Sequence, residues 1–306
     1  MKGKALVRLA GLALILGSLA WSGTVHATTP LRVGLQAGHW RANELPDELR
    51  SLRGSTGAAA GGLREHEVNL DIAQRTAAYL QQAGVTVDVL PSTVPPNYYA
   101  DAFVSLHADG SANTRLSGFK IAGHYREWAA STALLAALRA EYGPASGSRW
   151  DGEHVTSGMR GYYAMSSHRF KHTISSYTPG VILEMGYLTN PNDRRLMTQG
   201  ADRLARAVSD GILRFLNSKP EDGWPAPPPL PELRATVMTA TANVRSGPGP
   251  KFSVVRVVNR NRTLFVSEVR GEWLKLHSYR QRPGERWIHR AMVKLERIND
   301  EPPQDS

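Results

Sequence analysis

The sequence predicts an open, mostly parallel α/β sheet with helices on both faces, followed by a small all-β barrel. Three observations carry that reading. Apolar strand-like runs alternate with helical patterns up to about residue 218, the pattern of an α/β sheet. A proline-crowded stretch then interrupts the chain, and only short strand-like pieces come after it.

In the first part, Leu31 to Leu35, Ala102 to Leu106 and Val181 to Leu183 read as buried strands. Val85 to Leu90 alternates, as a more exposed strand does. Between the Leu31 to Leu35 and Ala102 to Leu106 strands lies a helix of about four turns, with Leu70, Ala73, Ala77 and Leu80 on one face and Gly84 as its stop. A second helix follows Arg126, and a third is expected near residues 193–216, with Leu204, Val208, Ile212 and Phe215 on one stripe. Pro220, Pro225, Pro227, Pro228, Pro229 and Pro231 then exclude both helix and sheet. The expected division is a first domain at 28–218, a linker at 219–235, a second domain at 236–298 and a tail at 299–306. In the second domain the expected strands are Thr236 to Thr239, Val254 to Val258, Leu264 to Val269, Glu272 to Leu276 and Arg286 to His289. Ser246-Gly247-Pro248-Gly249 and Pro283-Gly284 supply turns between them. Short strands in this number build a small barrel.

The 306 residues contain no cysteine, which excludes disulfides, iron–sulfur clusters, thiolate zinc sites and cysteine nucleophiles together. Any metal site must use His, Asp or Glu. Residues 1–27 read as a secretory signal: Lys2, Lys4 and Arg8 precede an apolar run from Leu9 to Trp21 too short to span a bilayer, and Val25-His26-Ala27 offers a cleavage site. A secreted protein of the periplasm or cell wall is expected, with no transmembrane segment in the mature chain. The formal charge is +10, and residues 236–306 hold 13 basic against 7 acidic side chains. Outside the cytoplasm that surplus points to anionic wall polymers or lipid head groups rather than nucleic acid.

Ligands of open α/β sheets sit beyond the carboxyl ends of the strands. Three polar residues are expected at such ends: His39 after the first strand, His107 after the Ala102 to Leu106 strand and Glu184 after Val181 to Leu183. Glu65 stands in the first turn of the helix after the His39 loop. Two His and one carboxylate form a catalytic zinc set with one position open to water, and a further carboxylate can carry the proton that such a water gives up. Glu184 is singled out by its apolar surroundings, because a carboxylate there is costly to bury without a partner.

The segments LQAGH (35–39), GLREHEVNL (62–70), FVSLHADGS (103–111) and PGVILEMGYLTNPND (179–193) resemble, in order, the zinc-dependent N-acetylmuramoyl-L-alanine amidases of bacterial cell-wall turnover. The resemblance runs from about 31 to 217. It implies that His39, Glu65 and His107 bind zinc and that Glu184 is the catalytic Glu. Glu67 competes with Glu65; the family places its ligand Glu ahead of a helical Asn-Leu, and Asn69-Leu70 puts Glu65 in register. Gln36 and Ala37 stand where the family usually has Asp and Pro, which would leave His39 backed by an amide instead of a carboxylate. The second domain resembles bacterial SH3-like domains through NVRSGPG (243–249), Glu272 to Leu276 and Arg286-Trp287-Ile288-His289. Such modules commonly hold an enzyme on the wall, although Trp273 and Trp287 read more readily as barrel core than as ligand stackers.

The implied activity is hydrolysis of the amide between N-acetylmuramic acid and L-alanine in peptidoglycan. A zinc peptidase cutting within the stem peptide and a non-catalytic peptidoglycan-binding or activator protein are the alternatives. The complete set of two His and two Glu argues against the last.

Overall fold

A computed structural model describes residues 30–228, 230–277 and 284–298 of the chain. The expected leader at 1–27 and tail at 299–306 lie outside the described residues. The first unit runs β1 (Arg32–Ala37), β2 (Ala59–Ala60), β3 (Leu63–Arg64), α1 (Glu65–Gln82), β4 (Thr86–Leu90), β5 (Ala102–Asp109), β6 (Lys120–Gly123), α2 (Ala129–Ser146), α3 (Ser157–Arg160), β7 (Gly180–Tyr187), α4 (Pro191–Gln199) and α5 (Ala201–Asn217). Its main sheet has the order β4-β1-β5-β7-β6, parallel except for β6.

Successive side chains of a strand point to opposite faces, and that alternation sorts this sheet into a dry side and a chemical side. Val33, Leu35, Val104, Leu106, Val181 and Leu183 form one core with Ile72 and Leu80 of α1, Leu134 and Leu138 of α2, and Leu204, Val208 and Ile212 of α5. The intervening residues Gln36, Ser105, His107, Glu184 and Lys120 therefore face the other way. There the cover is short helical turns and coil, including Met159, Ala164, Met165 and Ile174. The helix expected after the His39 loop is α1, ended at Ala83 before Gly84, whose φ of +82° only glycine adopts cheaply. The single helix expected near 193–216 is two, α4 and α5, joined at Gly200. Asn190 caps α4 by accepting from the N–H groups of Asn192 and Asp193, and Pro191 fits the first helical position.

Two expected placements change. His107 and Glu184 do not follow their strands but lie inside β5 and β7, opposite each other in the parallel register. The strands run on because their ladder continues to Asp109 and Tyr187, past a register shift after His107.

The second unit has seven antiparallel strands, β8 (Leu233–Val237), β9 (Thr241–Arg245), β10 (Val254–Asn259), β11 (Thr263–Arg270), β12 (Trp273–Leu276), β13 (Trp287–His289) and β14 (Val293–Arg297), in the order β10-β9-β13-β12-β11-β8-β14. Val237, Val244, Val258, Val266, Leu274 and Ile288 fill its core. Trp287 is fully buried and Trp273 half-buried. The segment between the units lies on the first one: Trp224 stacks on Phe215 at 5.7 Å, Trp128 Nε1 donates to the Pro225 carbonyl at 2.6 Å, and Arg126 Nε donates to the Pro228 carbonyl. No helix among the described residues is long and apolar enough to cross a membrane.

Candidate metal centre

Three segments distant in sequence deliver the donors. The loop after β1 carries His39 at a φ of +62°, the N-terminus of α1 carries Glu65, and β5 carries His107. One ring nitrogen of each His and one Glu65 oxygen all lie within 4.8 Å of one another. Glu65 Oε1 is 3.0 Å from His107 Nδ1 and 3.5 Å from His39 Nε2. Ligand atoms about 2.0–2.1 Å from a tetrahedral zinc sit roughly 3.3 Å apart, so these separations fit one ion shared by the three side chains.

Each donor is aimed by a neighbour. His39 Nδ1–H donates to the Ser55 carbonyl at 2.8 Å, which leaves Nε2 with its lone pair toward Glu65. Glu65 Oε2 accepts from the Ala58 N–H at 2.7 Å, and Oε1 accepts from the Ala108 N–H at 3.1 Å and from Asn69 Nδ2 at 3.3 Å. Asn69 also donates to the Gly38 carbonyl and so ties α1 to the His39 loop. His107 Nε2 lies 3.0 Å from the Tyr162 hydroxyl. Gly38 packs directly on the His107 ring, where a Cβ would overlap it.

The expectation that Gln36 backs His39 is not met. Gln36 is fully buried on the chemical face, donates to the Ser92 carbonyl at 2.9 Å, and accepts from Ser105 Oγ at 2.8 Å and the Tyr162 hydroxyl at 2.9 Å. It therefore acts on the far side of the site, through Tyr162 and His107. Tyr162 and Ser55 are the contributors that sequence reading missed. Both lie in coil whose course no periodicity signals.

The charges respond to this packing. Burial would raise the Glu65 carboxyl, but His107, His39 and the Ala58 N–H hold it below its ordinary value. Burial, with help from His107, keeps His39 below the usual imidazole range against the pull of Glu65. His107 is shifted up: burial opposes its charge, but Glu65, Glu184 and Asp109 outweigh it. Glu184 faces His107 across the ladder, and its Oε2 is buried without a hydrogen-bond partner. Burial, reinforced by Glu65 and Asp109, pushes its carboxyl up to about 8. A carboxyl so placed holds or accepts a proton near neutrality, as a general acid–base requires. Glu67, the competitor of Glu65, is exposed.

A cleft of about 600 Å³ opens from His39, His107 and Glu184 and is lined further by Leu49, Tyr163 and Phe170. One end is thus a set of metal donors, and the rest is a mixed polar and apolar trough.

The sequence profile of the N-acetylmuramoyl-L-alanine amidases matches residues 33–214. No curated protein matches the chain. Among solved structures, the amidase AmiC2 of Nostoc punctiforme is 23% identical, with a TM-score of 0.44, covering 61% of this chain and 97% of that one. The catalytic domain of the amidase CwlV from Bacillus (Paenibacillus) polymyxa is 23% identical, with a TM-score of 0.44, covering 62% and 99%. Ami1 of Mycobacterium smegmatis is 24% identical, with a TM-score of 0.46, covering 62% and 98%.

Proposed function

The chain belongs to the N-acetylmuramoyl-L-alanine amidase family, hydrolases of peptidoglycan that act outside the cytoplasm, and on that premise we propose that it is a zinc enzyme whose proton carrier is Glu184. His39, Glu65 and His107 are the proposed ligands. The observation that carries this reading is the convergence of their donor atoms within 4.8 Å beside a buried carboxyl with an unpartnered oxygen. Bound zinc supplies Lewis-acid polarisation and an acidified water. Glu184 takes a proton at its carboxylate and returns it to the departing L-alanine amine, and the carboxyl's raised affinity for a proton suits both transfers. Glu65, charged and hydrogen-bonded, stays an acceptor throughout.

The second unit, expected at 236–298 and built from β8 at Leu233 onward, so that the linker expected at 219–235 ends before that strand, is proposed as an SH3-like module that holds the enzyme on the wall. Its support is the antiparallel sheet of short strands together with the NVRSGPG motif and a basic surplus that suits anionic wall polymers. The leader at residues 1–27 is the proposed route of export.

Digestion of purified sacculi by the zinc-loaded protein tests the reaction. Mass spectrometry should find intact stem peptides freed from glycan, whereas shortened stem peptides would replace this reading by that of a peptidase. Zinc should be found at one equivalent by elemental analysis, and dialysis against a chelator should abolish release.

A further inference from the structure

The cleft is not the property of the α/β unit alone. Asn261, Arg262 and Thr263, which connect β10 to β11, line it together with His39, His107 and Glu184. The β unit is fastened in that position from two sides. The linker is hydrogen-bonded along the first unit through Trp128 and Arg126, and the ring of His168 packs on Phe265 of β11 at 4.5 Å. Phe265 lies two residues beyond Thr263, and Arg169 and Phe170, next to His168, line the same cleft.

The connection itself is a tight turn. The Arg262 N–H donates to the Asn259 carbonyl at 3.2 Å, its carbonyl accepts from the Val237 N–H at 3.0 Å, and Asn261 sits at a φ of +65°. Main-chain bonds thus fix the turn, while the exposed Arg262 guanidinium makes no hydrogen bond or ion pair among the described residues. Acidic side chains in the cleft are otherwise engaged. Glu48 accepts from the Lys171 and His172 N–H groups and pairs with the His172 ring at 2.8 Å, and Glu184 lies buried at the metal end. The side of the cleft built by the β unit therefore offers an unneutralised cation, carried on a main chain that is held in place, to whatever extends from the scissile bond.

We propose that Arg262 binds a carboxylate of the stem peptide, so that the β unit selects substrate within the cleft as well as binding wall. The inference rests on the amidase reading. Beyond its first amide a stem peptide carries free carboxylates, and a guanidinium meets a carboxylate through two parallel N–H donors. Amidation of that carboxylate removes both the charge and one acceptor.

The test uses the full chain and two ligands, N-acetylmuramoyl-L-alanyl-D-glutamate and the same molecule with its carboxylates amidated. Binding is read by calorimetry in a Glu184→Gln background, so that no turnover is needed, and kinetics are read in the parent. Arg262→Ala should weaken the acidic ligand roughly five- to tenfold and the amidated one less than twofold, and Arg262→Lys should recover most of the loss. In turnover of the acidic substrate the same change should raise KM by that factor and leave kcat within about twofold. Equal affinity of the unsubstituted Arg262 protein for both ligands, or an equal loss on both in Arg262→Ala, overturns the proposal. Shortened stem peptides among the products would sink the amidase reading instead, while the calorimetric discrimination would still decide the role of Arg262.

Discussion

Glu65 Oε1 and His107 Nδ1 stand 3.0 Å apart, although 42 residues separate them, and this pair joins the first turn of α1 to the middle of β5. Both side chains are buried and both have shifted proton affinities, each in the direction that strengthens the other's charge. A metal ion held by these two side chains would take the place of a proton on His107.

Metal binding and chemistry should therefore separate by residue. His39→Ala and His107→Ala should lose both zinc and activity, since two remaining protein ligands hold the ion poorly. Glu184→Gln should stay loaded yet fall about a thousandfold in kcat, the scale of a lost general acid–base. Elemental analysis beside product release decides, and equal metal loss in all three variants would make Glu184 a ligand.

The choice between the two glutamates of α1 has its own test. Glu65→Gln should abolish zinc retention, whereas Glu67→Gln, at an exposed position, should keep zinc and activity within about twofold. Gly38→Ala should behave like a ligand mutation without touching a ligand, because its Cβ would displace the His107 ring. Full zinc retention by Gly38→Ala would mean that this loop yields more easily than the packing implies.

How much of this was legible in the sequence depends on the periodicity of each segment. The strands leading to His107 and Glu184 are apolar runs, broken in β5 only by Ser105, so their existence was plain, but such a run gives no sign of its last residue, and both residues fell inside. α1 announced itself by Leu70, Ala73, Ala77 and Leu80; the break at Gly200 did not, since apolar positions continue on both sides of it. β9 and β14 went unread because neither carries an apolar run, β9 burying only Ala242 and Val244 and β14 nothing. Ser55 acts through its carbonyl, a group that every residue possesses. No sequence pattern marks such a role.

Tyr162 is the next residue to change. Its hydroxyl meets His107 Nε2 at 3.0 Å, Gln36 Oε1 at 2.9 Å and Ser105 Oγ at 3.2 Å. Tyr162→Phe keeps the ring and removes this junction, so zinc affinity should fall roughly tenfold, as when an outer hydrogen-bond partner of a metal-binding His is lost. Competition with a chromogenic chelator measures the change. Unaltered affinity would show that packing alone orients His107.

Acid should loosen the chain from the contact between the two units. His168 is 5% exposed, and burial, followed by His124, Arg169, Arg126 and His277, pushes its imidazole down to about 2. His124, with rings 5.2 Å away, is likewise pushed down to about 4 by burial, Arg126, Arg169 and Arg160. The sign follows from comparing the states. Above 6.5 His168 is neutral whether the chain is folded or unfolded, and its burial carries no protonation cost. As the pH falls below 6.5 the unfolded chain binds a proton that the folded chain refuses, so stability declines by up to about 1.4 kcal/mol per pH unit for this group. His168→Phe keeps a ring against Phe265 and removes the titration. Between pH 7 and pH 5 the parent should therefore lose about 2 kcal/mol more than His168→Phe. Urea unfolding of both proteins at pH 7, 6 and 5, with the metal held saturating, measures the difference. Parallel curves across that range would mean that His168 is protonated in the folded state and faces a partner charge.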